Sequence, residues 1–236
     1  MDENMVVALG LKTDGGGDLV CREKRVEREK LSFMYTNIRS IMNNNKLDET
    51  SKKAHEEEID IIGITESWTN EDIQDAEIGI LGYNLYRKDR DNKDKSKGGG
   101  VLLYINSTLT STEENNGRYS ESLWVEIYLY GKLNLTIGVC YRAPTISNIE
   151  EINLFNTMKE MAKRPSIIMG DFNFPDIIWS SMEAGSRGED FIDLIQDSFL
   201  FQHVNVPTRS DSILDLVFSS ELDMVKDLNV QCPIAN

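Results

Sequence analysis

A chain of 236 residues that is 40% hydrophobic and 28% charged has the composition of a globular protein with enough length to bury one large core. No apolar run approaches the roughly 18 residues of a membrane span, and the first residues lack the basic start and apolar stretch of a signal peptide, so an intracellular protein without a membrane partner is expected. The formal charge of −15 argues against a uniformly basic nucleic-acid surface, yet Arg87 to Lys97 holds six basic and three acidic side chains, enough for a local footprint.

Residues 1–30 show no sustained period, contain Gly15, Gly16 and Gly17, and end in a mixed-charge run, which predicts a disordered leader. From Leu31 the texture changes to short apolar runs divided by turn residues. Strands are predicted at 31–36, 60–65, 83–86, 99–105, 122–129, 133–140, 166–170 and 213–218, with Tyr130-Gly131-Lys132 as a hairpin turn between the fifth and sixth. Ile149, Ile152, Phe155, Met158 and Met161 mark one helix, and Phe191, Ile192, Leu194, Ile195 and Phe199 a second. A third is expected near 46–58 although Leu47 and Ala54 are its only apolar residues. Many strands with few helices between them predict an α/β (α+β) domain over 31–236, built as paired sheets covered by helices. Cys21, Cys140 and Cys232 lie far apart, are odd in number and have no metal-site spacing, so they read as reduced thiols.

The chemistry-bearing residues fall at strand ends. Ile167-Ile168-Met169-Gly170 runs into Asp171-Phe172-Asn173, which places a carboxylate and a carboxamide where strand becomes loop; such residues also make ordinary turns. Asp60-Ile61-Ile62-Gly63-Ile64-Thr65 runs into Glu66, with Trp68 beside it, and Asn37 stands in the same relation to strand 31–36. A carboxylate there is costly unless a charge or metal compensates it. Asp215 interrupts Ile213-Leu214-Asp215-Leu216-Val217-Phe218; it either orients a histidine or points to solvent from an edge strand. His55 sits among Glu56, Glu57 and Glu58 and reads as solvated, and His203 follows an apolar helix and reads as structural. Asn, Glu and Asp oxygens without soft ligands suit Mg²⁺ and not zinc.

In order along the chain, Asn37-Ile38-Arg39-Ser40, Thr65-Glu66-Ser67-Trp68, Lys97-Gly98-Gly99-Gly100-Val101, Val139-Cys140-Tyr141-Arg142-Ala143-Pro144, Gly170-Asp171-Phe172-Asn173, Pro207-Thr208-Arg209 and Ile213-Leu214-Asp215-Leu216 resemble the endonuclease/exonuclease/phosphatase superfamily. The Tyr-Arg-x-Pro and Pro-Thr-Arg elements resemble the apurinic-type endonuclease of non-LTR retrotransposons. The resemblance implies two β-sheets packed face to face with helices outside, a four-layer sandwich. It implies Glu66 as the Mg²⁺ ligand, with Mn²⁺ as a substitute and Asn37 nearby. Asp171 would position or deprotonate water, and Asn173 and Tyr141 would bind the scissile phosphate. Asp215 would orient a histidine. Arg142, Arg87, Lys88 and Arg90 are the further substrate-binding candidates, with DNA as partner. The family's product is a nick with a 3′-hydroxyl for a fused or downstream reverse transcriptase, which implies a nuclear location.

Arg39 stands where many superfamily members carry an acidic residue, so no second metal ligand is expected there. The family ends its domain with Ser-Asp-His, where this chain reads Cys232-Pro233-Ile234-Ala235-Asn236. The expectation is therefore a domain lacking its C-terminal end, weak or inactive as a nuclease. The alternatives are a phosphatase or phosphodiesterase on a small substrate, or a catalytically dead nucleic-acid-binding remnant.

Overall fold

The computed structural model describes residues 4–10, 30–43, 45–90, 98–114, 118–129, 134–231 and 234. In chain order the first half comprises β1 (Asn4–Gly10), β2 (Lys30–Asn37), α1 (Lys46–Glu56), β3 (Ile61–Thr65), α2 (Asp75–Ile78), β4 (Tyr83–Lys88), β5 (Val101–Asn106) and β6 (Thr110–Glu113). The second comprises β7 (Ser122–Tyr128), β8 (Asn134–Tyr141), α3 (Asn148–Met161), β9 (Ser166–Asp171), α4 (Ser186–Asp197), β10 (Phe201–Gln202), β11 (Asp215–Ser219) and β12 (Val225–Gln231).

Two strand–helix–strand units set the frame. β2 pairs parallel with β3, and β8 parallel with β9. A parallel pair needs a crossover, supplied here by α1 and α3. That requirement explains why a segment as weakly apolar as 46–56 is helical. It buries only Thr50 and Ala54, and Lys53 Nζ anchors it to Gln231 Oε1 at 2.5 Å. α3 starts at Ser147, whose hydroxyl accepts a hydrogen bond from Glu150 N, a side-chain cap for an exposed helix donor. Antiparallel neighbours extend each unit into a six-stranded sheet, in the orders β12-β1-β2-β3-β5-β4 and β10-β11-β9-β8-β7-β6.

Alternation along the strands sorts the core into three apolar layers. Phe33, Tyr35, Leu103, Val125, Val139, Met169 and Val217 meet between the sheets. Met34, Ile62, Ile64, Leu102 and Tyr104 face outward to Ala54 and Ile78. On the other side Trp124, Ile168, Phe172 and Phe218 lie under Leu154, Met158, Phe191 and Ile195. Each fully buried side chain of this size contributes roughly 1.5–3 kcal/mol relative to exposure. The sheets approach closely at Gly63, where a Cβ would lie 2.6 Å from Met169 Sδ. The four-layer α/β architecture read from the sequence is the architecture observed.

Several readings change. Residues 4–10, taken above as disordered leader, form β1, antiparallel to both β2 and β12. The apolar run Met5-Val6-Val7-Ala8-Leu9 is short and stands alone before a glycine-rich stretch, so its pairing partners lie far along the chain and leave no local signature. Residues 11–29 and the turn 130–133 lie outside the described residues. β6, β10 and β12 were not foreseen. They are short or edge strands of largely polar sequence, held by neighbours and not by their own period. No helix among the described residues is long and apolar enough to cross a membrane.

Candidate active site

The C-terminal ends of both parallel pairs fall at one edge of the sandwich. β2 ends at Asn37, level with Thr65 of β3. β8 ends at Tyr141, level with Asp171 at the end of β9, and Asp215 begins β11 directly opposite Asp171. Hydrogen bonds close the gap between sheets. Asn37 Nδ2 donates to Asp171 Oδ2 at 2.7 Å, across 134 residues of sequence. Tyr35 donates its hydroxyl proton to Asp215 Oδ1 at 3.1 Å. With that proton committed, the 2.8 Å contact between Tyr35 and Thr65 hydroxyls has Thr65 as donor.

Glu66 follows β3 at φ 54°, and Asn173 follows β9 at φ 50°. Left-handed backbone costs a non-glycine residue roughly 1–2 kcal/mol and persists where the surroundings over-determine it. For Glu66 the surroundings are a glycine loop. Glu66 Oε2 accepts from Gly99 N at 3.1 Å and from the Trp68 indole N–H, and the loops also pair through Ser67 N to Gly100 O and Trp68 N to Gly99 O. Gly99 and Gly100 have φ of 76° and 81°, and a Cβ on Gly100 would lie 2.5 Å from Ser67 Oγ. The three glycines are thus a fitted brace behind the Glu66 carboxylate.

The electrostatics are those of crowded acids. Burial pushes Asp171 up, Asp215 and Glu66 lie close enough to be felt by this cluster, and Arg209 and Asn37 pull Asp171 back down. Burial and then the Asp171 charge push Asp215 up to about 7, against Arg209, Thr208 and Tyr35. The Tyr141 phenol is raised far above its ordinary range by burial and by its hydrogen bond to Glu66, so it is a proton-bearing donor at neutral pH. At this rim three buried acceptor atoms have no hydrogen-bond partner among the described residues: Asn37 Oδ1, Asp171 Oδ1 and Asp215 Oδ2. Unpaired buried acceptors cost about 1–3 kcal/mol each, so gathering three at one rim is a local cost in stability.

The comparisons with known proteins agree with this geometry. A family described as endonuclease-reverse transcriptase matches residues 135–232, a segment that includes Tyr141, Asp171, Asn173 and Asp215 but not Asn37 or Glu66. The endonuclease domain of TRAS1, a telomere-specific non-LTR retrotransposon, superposes with TM-score 0.59 at 16% identity, over 80% of this chain and 84% of that one. An AP endonuclease from Archaeoglobus fulgidus gives TM-score 0.53 at 12% identity over 80% and 84%. A mannosyl-6-phosphatase from Bacteroides thetaiotaomicron gives 0.51 at 13% over 80% and 84%. No curated protein matches in sequence. The chain has the endonuclease/exonuclease/phosphatase fold.

Within this endonuclease/exonuclease/phosphatase fold, the structure brings together Asn37, Glu66, Tyr141, Asp171 and Asp215, with Asn173 on the adjoining loop. Of the predicted basic residues, Arg142, Arg87 and Lys88 are committed elsewhere, while Arg90 lies beside the glycine loop. Arg142 is 3% exposed and turned inward: Nη1 donates to Phe172 O at 3.3 Å and Asn173 O at 3.1 Å, Nε to Glu151 Oε1 at 2.8 Å, and its guanidinium lies 3.8 Å over the Phe174 ring. Asn173 Nδ2 returns a bond to Arg142 O at 2.9 Å. Arg142 therefore fixes the loop that carries Asn173 instead of reaching substrate.

Arg87 commits all five N–H groups internally, to Asp75, to Asp89 twice and to the carbonyls of Asn70 and Ile73. Lys88 Nζ donates to Tyr119 O at 3.0 Å, and burial pulls its pKa down. Arg90 pairs with Glu121 at 3.1 Å, and Glu121 Oε2 in turn accepts from Gly100 N at 2.8 Å. Arg90, through Glu121, supports the glycine loop, and residues 91–97 lie outside the described ones. Charge counting registered Asp89 beside Arg87 but not Asp75 or Glu121, which pair with Arg87 and Arg90 from other segments.

The histidines are elsewhere. His55 contacts the carbonyls of Ser51 and Leu81, and His203 contacts Ser219 Oγ at 2.7 Å, at the opposite end of β11 from Asp215. Asp215 neither meets a histidine nor points to solvent from an edge strand, the two readings its sequence allowed: β11 lies between β10 and β9, and Asp215 is buried. Tyr35 holds one oxygen, and Arg209 Nη2 lies 3.9 Å from the other. Tyr35 and Arg209 were the missed site residues. Tyr35 shows no signal within an apolar strand, whereas Arg209 was visible in Pro-Thr-Arg without a role.

Proposed function

We propose that the chain is a metal-dependent phosphodiesterase that nicks DNA to leave a 3′-hydroxyl, of the kind that primes a retrotransposon's reverse transcriptase. The observation that carries this reading is the convergence of Glu66 with three buried acceptor oxygens that lack a hydrogen bond, at one rim of an endonuclease/exonuclease/phosphatase fold. The donor set fits Mg²⁺ or Mn²⁺. It is oxygen-only, and no group of three His, Cys, Asp or Glu among the described residues could form an all-protein cage. A hard cation held by one carboxylate, one carboxamide oxygen and water suits that arrangement, with Glu66 and Asn37 Oδ1 as its ligands. Such an ion would supply charge neutralisation on a phosphate and acidify bound water.

The remaining steps belong to side chains. Asp171 Oδ1 accepts the proton of the attacking water, its other oxygen being held by Asn37. Tyr141 donates its hydroxyl to a phosphate oxygen once substrate displaces it from Glu66. Asn173 offers the second N–H of its carboxamide. No imidazole stands at the described site, so turnover is expected to be slow; loss of one such group commonly costs on the order of 10²–10⁴ in rate. A reverse transcriptase partner and a nuclear location belong to this reading.

A second reading has its own support. The internal pairing of Arg87 and Lys88 and the charge of −15 favour a small phosphate ester over a polymer. Incubating the chain with supercoiled plasmid and, separately, with a soluble phosphate monoester, each with Mg²⁺ or EDTA, separates them. Mg²⁺-dependent nicking lost in E66Q supports the first. Intact plasmid beside hydrolysed monoester supports the second.

A further inference from the structure

Asp171 and Asp215 face each other in register on adjacent antiparallel strands, each about 1% exposed, which is an expensive arrangement for two acids. One side chain spans them. Arg209 Nη2 donates to Asp171 Oδ2 at 3.1 Å and lies 3.9 Å from Asp215 Oδ2. Its aim is fixed by a tight reversal over 208–212. Thr208 N and Arg209 N both bond to Ser212 O, Ser212 N bonds back to Arg209 O, and Ser210 takes φ 53°. Fully buried Thr208 then accepts both Leu214 N and Asp215 N at 3.0 Å, locking the reversal to the first residue of β11. The Pro-Thr-Arg element is thus built to present one guanidinium nitrogen to two carboxylates.

We propose that Arg209 is a positioning residue for hydrolysis. It makes the acid pair tolerable in the core, and with Asn37 it saturates Asp171 Oδ2, so that Oδ1 alone is left to meet the water. This inference rests on the hydrolytic reading above, but the bridge itself can be tested without turnover.

The test is a double-mutant cycle on the full chain, read by urea unfolding. R209M keeps the aliphatic stem and removes the charge. In the unaltered background it should lower the folding constant by roughly tenfold or more, and in D171N/D215N by less than about threefold, with R209K intermediate in the first background. Equal losses in both backgrounds would show that Arg209 only packs, and overturn the proposal. On a duplex oligonucleotide with Mg²⁺, R209M should lower kcat and leave KM unchanged, with partial recovery in R209K. A raised KM at steady kcat would make Arg209 a substrate contact and equally overturn it. Absence of nicking by the unaltered chain would fail the hydrolytic reading, while the unfolding cycle still decides the bridge.

Discussion

The two ends of the sandwich bury carboxylates to different purposes. At the far end Asp60, 3% exposed, accepts from Ser32 N at 3.0 Å, while Asp60 N bonds to Ser32 Oγ at 3.1 Å. Asp60 and Ser32 thereby tie the start of β3 to β2. At the near end two acids face each other in register and share one guanidinium. The first arrangement is what stability alone selects. The second costs stability, and a protein retains such a cluster where chemistry needs it.

Substitution at the two ends should separate most widely in rate. D171N removes the proton acceptor and should lower Mg²⁺-dependent hydrolysis by on the order of 10²–10⁴. Its unfolding midpoint should hold or rise, because one buried charge of a like pair is gone. D60N should leave hydrolysis unchanged and lose about 1 kcal/mol of stability through weakened bonds to Ser32. Matching behaviour of the two variants would erase the distinction between the ends.

The next effect is on pH. Asp215 is raised from 3.8 to about 7, so the folded chain holds this proton more tightly than the unfolded chain does. Its contribution to stability is therefore complete below about pH 4 and is lost as pH rises through 7. Asp171 is raised too, and the pair titrates as a unit. Urea midpoints measured from pH 4 to 8 should fall for the unaltered chain and flatten for D215N. Parallel profiles would mean that Asp215 ionises as an ordinary surface acid.

What the sequence disclosed follows from where the information sits. The interior strands β3, β5 and β9 are continuous apolar runs because both faces are covered, and they were legible. Asp171, Glu66 and Asn37 were legible because each terminates such a run. β1 and β12 were not, since they are completed by each other across more than 200 residues. The basic cluster misled in part for the same reason: Asp89, within the cluster, takes two of the Arg87 N–H groups, while Asp75 and Glu121 come beside Arg87 and Arg90 only on folding. Arg209 was seen as a motif and not as a bridge, because the reversal that aims it is a property of backbone geometry.

The smallest effect belongs to the histidine at the far end. His203 Nε2 contacts Ser219 Oγ at 2.7 Å, and its backbone N bonds to Val217 O at 3.0 Å. Ser219 and Asp215 are the two ends of β11, roughly 14 Å apart at about 3.4 Å per residue, so the imidazole cannot serve the acid pair. H203A deletes one half-buried hydrogen bond and should cost about 1 kcal/mol, with Ser219 Oγ keeping its bond to Glu221 O at 2.7 Å. Burial lowers the His203 pKa from 6.5, so its neutral form favours the fold above that value and the benefit fades as pH falls. The stability gap between H203A and the unaltered chain should accordingly narrow below pH 6.5 and leave hydrolysis untouched throughout. A loss of hydrolysis in H203A without a matching loss of stability would place chemistry at both ends of β11, and the contrast between them would fail.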